Sequence, residues 1–251
     1  MLENYNPASG QWKNKDAAIY LVMSLATKAK TAKHGITQTN QLVDLADFCN
    51  KYIVSELKDA NVNHLPVIKA ASVKYVMTFR SQLPPDMVKA SLPFIVNHLR
   101  AESHVVHTYA AAAIDKILIM KQPGAVGSNK ALVTAPDLTP IAEPLLTGLF
   151  GAFNLQGSAE NEYVMKCVMR SFSTLQEAVI PYLASLLPSL TQKLQLAAKN
   201  PTRPHYNHYL FESLGLSIRI VCKSQPAAVT NFETVLFPVF QEILQQDVQV
   251  E

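Results

Sequence analysis

The stretch Ser91-Leu-Pro-Phe-Ile-Val-Asn-His-Leu99 holds a proline inside an apolar run, with a leucine six positions after it. The same arrangement returns at Pro140 with Leu146, Pro188 with Leu194 and Pro238 with Leu244, at intervals of 47, 48 and 50 residues. A fixed period of this size marks a chain built from stacked units, and about 40–47 residues per unit is the range of paired-helix HEAT repeats. A proline within a helix removes one backbone hydrogen bond and clashes one turn back. Its recurrence at one place in each unit predicts a bent first helix on the outer side of an array.

Composition agrees with stacked helices. Of 251 residues, 49% are hydrophobic and 16% charged, as suits helices covered by neighbours on more than one side. The 22 basic and 19 acidic residues leave a net charge of +3, too balanced for a nucleic-acid footprint. Cys49, Cys167 and Cys222 are widely spaced, each in an apolar helical stretch, and read as buried, reduced thiols of an intracellular protein. The first residues lack the basic-then-apolar order of a signal peptide, and no apolar run reaches the ~18–20 residues of a membrane span. A soluble chain is expected, with no membrane and no nucleic acid among its partners. Residues 1–5, ahead of Asn6-Pro7, read as the last turn of a helix, because the residue before proline leaves the helical region. That suggests a middle fragment of a longer array.

Apolar residues at i, i+3, i+4 spacing predict helices over 12–30, 42–57, 66–79, 86–99, 103–120, 137–153, 160–176, 180–199, 205–224 and 229–247. These group as pairs at 1–30, 41–82, 86–121, 137–176 and 180–224, with an unpaired last helix at 229–247, in one solenoid segment over 1–251. Pro66 suits a first helical turn, and Pro84-Pro85 marks a boundary. The small residues Ala110 to Ala113 let two helix axes approach. Gly157 is expected to end one helix and Ser158 to cap the next. Residues 122–134, with Gly124, Gly127 and Pro123, read as a mobile loop between repeats. No stretch shows strict alternation bounded by hairpin turns, so no sheet is expected. The fold class is all-α, a HEAT-repeat α-solenoid of about five antiparallel helix pairs. Uncovered apolar faces at its ends predict self-association.

Catalytic motifs find no support. His104 and His107, and His205 and His208, share a helix face three residues apart, but neither pair has a third ligand or a glutamate base at motif distance. Residues 124–130 are glycine-rich with Lys130, yet the spacing and preceding strand of a phosphate loop are missing. No GxSxG elbow occurs. Neither an enzyme nor a cofactor is expected. Two groups are better placed for protein binding. Lys28, Lys30, Lys33 and His34 crowd a helix-to-loop transition, where cations suit both the helix C-terminus and an acidic partner. Glu160, Asn161 and Glu162, with Lys166 and Arg170, read as lying along an inner helix that faces a concave surface.

The runs Trp12-Lys-Asn-Lys-Asp-Ala-Ala-Ile-Tyr-Leu21, Ala101-Glu-Ser-His-Val-Val-His-Thr-Tyr-Ala-Ala-Ala112 and Glu160-Asn-Glu-Tyr-Val-Met165 carry a specific resemblance. So do Arg170-Ser-Phe-Ser173, Asn200-Pro201 and Pro204-His-Tyr-Asn-His-Tyr209. Over nearly its whole length the chain resembles exportins of the karyopherin-β family, whose chains are several times longer. The resemblance implies nuclear export of importin-α together with Ran-GTP, by a protein shuttling between nucleus and cytoplasm. It also implies that Ran and cargo meet the inner surface of the solenoid, and that an insertion in a middle repeat touches Ran. Residues 28–40 are the candidate insertion. On helix pairing alone, an unrelated HEAT-repeat scaffold or adaptor stays open.

Overall fold

The computed structural model describes residues 10–31, 35–123, 130–199 and 202–245, and the side chains of all of these but Thr31, Gly35 and Ile243. The fold is a helical-repeat α-solenoid segment, and the chain forms two compact units, Met1–Val133 and Thr134–Glu251.

In the first unit, α1 (Trp12–Ala26) runs into a two-stranded antiparallel hairpin, β1 (Thr27–Thr31) and β2 (Gly35–Thr39). Helices α2 (45–58), α3 (Pro66–Phe79), α4 (Pro85–Asn97) and α5 (His104–Leu118) follow. Helix α3 packs against α1 on one side and α5 on the other, while α2 lies beside α4. This is the two-layer arrangement that paired helices require. Asp44 caps α2, its side chain accepting from the Asp47 backbone N–H at 2.9 Å. The helix then widens into a π-turn at Cys49–Ile53 before closing at Val54–Lys58. Tyr75 anchors α3 to it, the buried phenol donating to the Leu45 carbonyl at 2.9 Å. Ala110, Ala111 and Ala113 are fully buried on α5, so α3 and α5 approach closely, as the run of alanines predicts.

The second unit opens on a capping box, in which Asp137 Oδ2 accepts from the Thr134 backbone N–H at 2.8 Å. A short helix (Ala135–Leu138) and a 3-10 turn (Thr139–Ile141) lead into α6 (Ala142–Ala152). Then come α7 (Glu162–Leu175), α8 (Ile180–Lys199), α9 (Pro204–Ser224) and α10 (Val229–Gln245). Helix α7 packs along α9, and α8 along α10. Small buried serines allow the first contact: Ser171, Ser213 and Ser217 each donate to the carbonyl one turn back, so each of these three hydroxyls is satisfied.

Several expectations are corrected. Pro93, Pro188 and Pro238 do sit inside helices, on their exposed sides, but Pro140 falls in the 3-10 turn ahead of α6. Leu99, Leu146 and Leu194 are buried as the repeat predicts, whereas Leu244 is 81% exposed. Asn161, not Ser158, caps α7, accepting from Tyr163 and Val164 backbone N–H groups; Ser158 is buried in the preceding turn. Gly157 adopts a left-handed φ of 75°, which glycine tolerates best. Helix α1 stops at Ala26, short of Lys30, and a sheet exists where none was expected. Cys49 and Cys167 are buried but Cys222 is half-buried. The readings for residues 1–5, 124–129 and 246–247 lie outside the described residues; beside the middle segment, Lys121 and Ala131 form an antiparallel bridge.

Candidate protein-binding site

The hairpin follows from its own alternation. Thr27 and Ala29 share one face of β1 while Lys28 and Lys30 share the other, and β2 carries Ile36, Thr37 and Thr39, β-branched residues that suit a pleated strand. Register shifts between Thr27, Ala29 and Lys30 interrupt the ladder, so the pairing is bulged. Three anchors hold it to the helices. Asn40 N–H donates to the Ala26 carbonyl at 2.8 Å, Gln82 Nε2 donates to the Ile36 carbonyl at 2.7 Å, and the Ile36 side chain is buried. Lys28 and Lys30 stand exposed on β1, presenting two cations on a strand instead of the irregular loop expected; Lys33 and His34 lie outside the described residues.

Helix α1 is tied down by ionic contacts that the helix pattern does not reveal. Lys15 Nζ lies 2.6 Å from Glu56 Oε1, and Lys69 Nζ lies 2.8 Å from Glu56 Oε2 and 2.6 Å from Asp59 Oδ2. Burial by itself would raise the Glu56 pKa, but hydrogen bonds from Lys15 and Lys69 outweigh it and hold the carboxyl below its ordinary value. One glutamate on α2 thus fastens both α1 and α3, and α1 delivers the hairpin.

The second predicted group separates in space. Glu160 precedes α7 in the turn and stands 3.7 Å from Arg203 Nε, so it does not lie on that helix. Glu162, Lys166 and Arg170 follow one another at one-turn spacing along α7, all half-buried, with Tyr163 half exposed beside them. Lys166 Nζ lies 5.4 Å from the centre of the Tyr209 ring on α9. In the first unit Lys74 on α3 stands likewise 5.8 Å from the Tyr109 ring on α5. Lysine over tyrosine therefore recurs between neighbouring helices of the same layer in each unit, a cation–π contact that orders both side chains.

His104, His107 and His208 each make a structural contact. His107 is buried with Nδ1 donating to the Ala101 carbonyl at 2.8 Å, and its ring meets His104 edge-on; His208 meets Tyr209. Among the described residues no group of three or more histidine, cysteine or acidic side chains is placed to hold a metal ion. Nor, among them, is any helix long and apolar enough to cross a membrane.

Paired helices in two layers, a proline-marked period and a basic hairpin inserted after α1 define a HEAT-type helical-repeat protein with an insertion. The family model described as Cse1 matches residues 1–114, and that described as CAS/CSE protein, C-terminus, matches residues 115–250. The chain belongs to the CAS/CSE family. It is 57% identical to human Exportin-2 over 251 residues, covering 99% of this chain and 25% of that protein. It is 55% identical to Exportin-2 of Danio rerio over 250 residues, with the same coverage. The chain thus spans about a quarter of the length of the curated relatives it matches. Among solved structures it resembles the exportin Cse1 in its cargo-free, cytoplasmic state, with a TM-score of 0.74 and 28% identity, covering 96% of this chain and 24% of that one.

Proposed function

We propose that the chain is part of a nuclear transport receptor that exports importin-α in complex with Ran-GTP, shuttling between nucleus and cytoplasm and catalysing nothing itself. The observation that carries this reading is identity of 57% to human Exportin-2, sustained over 99% of the chain. In this reading the hairpin that bears Lys28 and Lys30, with Lys33 and His34 in the same segment, is the insertion that meets Ran. The α7 residues Glu162, Lys166 and Arg170, with Glu160 at the helix entrance, border the inner protein-binding surface. Tyr163 adds an exposed aromatic of the kind that anchors protein interfaces.

The test is capture of importin-α in the presence of Ran loaded with GTP or GDP, by this chain and by a full-length relative carrying Glu at the positions of Lys28 and Lys30. GTP-dependent capture by the full-length protein, weakened by the charge reversals, is expected. The 251-residue chain alone is expected to bind weakly, because the coupling of Ran and cargo needs both ends of one array. Equal capture with GTP and GDP would overturn the transport reading, and unchanged affinity in the charge-reversed variant would overturn the role of the hairpin.

A further inference from the structure

A cavity of about 420 Å³ opens in the first unit where the C-terminal ends of α3 and α5 meet the start of α4. Three cations line it: Arg80 just after α3, Lys116 in the last turn of α5, and Lys121 beyond it. The rest of the wall is largely apolar. Leu83 and Leu132 are buried, and Ile119, 45% exposed, stands as a large apolar side chain on the wall.

Arg80 is the unusual member. Its side chain is 9% exposed, and its Nη1 donates to the Met77 carbonyl at 2.8 Å. A guanidinium carries five N–H donors in a planar fork that matches a carboxylate in bidentate fashion. Burial lowers the Arg80 pKa, and only the field of Asp115, a buried acid on α5, acts in the opposite direction. Arg80, Lys116 and Lys121 thus bring three cationic side chains to the lining of one cavity. Helix C-termini supply partial negative charge at this spot, which accounts for cations there but not for an open cavity around them.

We propose that this cavity binds an acidic peptide segment, seating an Asp or Glu carboxylate on Arg80 while an adjoining apolar side chain lies against Ile119 and Leu132. A peptide suits the site better than a free oxyanion because the volume far exceeds one carboxylate or phosphate group and the walls beyond the cations are apolar. Lys116 and Lys121 add attraction that salt screens, whereas the Arg80 contact is sheltered. The inference stands apart from the transport reading, since it uses neither the hairpin nor α7.

The experiment is fluorescence polarisation with the 251-residue chain and a labelled peptide of alternating glutamate and leucine, beside its glutamine counterpart. The glutamate peptide is expected to bind at least tenfold more tightly than the glutamine one. Arg80→Gln should weaken it at least tenfold and Lys121→Gln about threefold, while Lys223→Gln, in the other unit, should leave it unchanged. Lys121 is exposed, so its variant reads the site without disturbing the core. Equal binding of the two peptides, no effect at Arg80 and Lys121, or an equal loss at Lys223 would overturn the proposal. Inorganic phosphate protecting the site while the peptide fails to bind would assign it to a small anion and overturn the peptide occupant.

Discussion

Lys69 has no exposed surface, yet its ammonium is fully employed: it donates to Glu56 Oε2, Asp59 Oδ2 and the Glu56 carbonyl at 2.8, 2.6 and 3.1 Å. Removing one partner of a buried ion pair leaves uncompensated charge and costs ~3–5 kcal/mol. Lys69→Met is therefore expected to lower the urea unfolding free energy by about that much, and a loss below ~1 kcal/mol would contradict the network's role. The same cluster sets a pH dependence. Asp59, chiefly through its hydrogen bond from Lys69, and Glu56 both stay ionised to lower pH folded than unfolded. Their contribution is present above the ordinary carboxylate range and drains away as pH falls through and below about 4. His98 acts earlier. Its Nδ1 donates to the Phe94 carbonyl at 2.8 Å, its Nε2 is buried without a partner among the described residues, and burial lowers its pKa, with Lys69, Asp59 and Glu56 as the charges around it. The unfolded chain binds that proton first, so stability falls as pH drops below about 6.5. The unfolding midpoint should decline between pH 7.5 and 5.5 and again below about 4, with the first decline reduced in His98→Asn; a flat first interval would rule this out. None of this was legible beforehand, because helical periodicity places lysines on the wet face and cannot see that carboxylates 13 and 10 residues earlier fold back onto Lys69.

Among elements, the helices were the legible part and the hairpin was not. Stripes such as Leu210, Leu214 and Ile220 fix helix faces through local spacing, and the start of α3 at Pro66 follows from one residue's chemistry. Thr27-Lys-Ala-Lys-Thr31 also alternates, but over five residues interleaved with lysines its period is easily taken for a charged loop. What converts it into a strand is tertiary: burial of Ile36 and the Gln82 hydrogen bond to the Ile36 carbonyl. Ile36→Ser should therefore release the hairpin selectively. Amide exchange over residues 27–39 is expected to quicken tenfold or more while α4 and α5 keep their protection, with a global loss of about 1.5–3 kcal/mol for the side chain withdrawn from the core. Unchanged exchange in that segment would mean that the hairpin holds itself by its own ladder.

At the scale of the molecule, two boundaries fail to coincide. The two family models meet between Ile114 and Asp115, inside α5, whereas the compact units part at Val133 and Thr134, at the end of the stretch whose glycines marked it as loop. A helix cannot be divided without exposing its buried face, and Ile114 and Ile117 on either side of the model boundary are both fully buried. The physical boundary is therefore the later one. The first unit has its own core around Ile53, Tyr75, Phe79, Ile95 and Ile114, the second around Leu145, Met165, Phe172, Leu194 and Leu210. In repeat arrays each unit carries its own share of the stability, so a cut at 133/134 leaves both cores whole, while a cut inside α5 opens the core of the first. Residues 1–133 and 134–251, produced separately, should each show helical far-UV circular dichroism and a cooperative thermal transition. Residues 1–114, which keep Ile114 but lose Ile117 and the last turn of α5, should melt at least several degrees below 1–133, since deleting buried Ile117 and Leu118 removes about 3–5 kcal/mol of apolar burial. If 1–114 proved as stable as 1–133, the end of α5 would contribute nothing to the first unit and the sequence-family boundary would be the structural one after all.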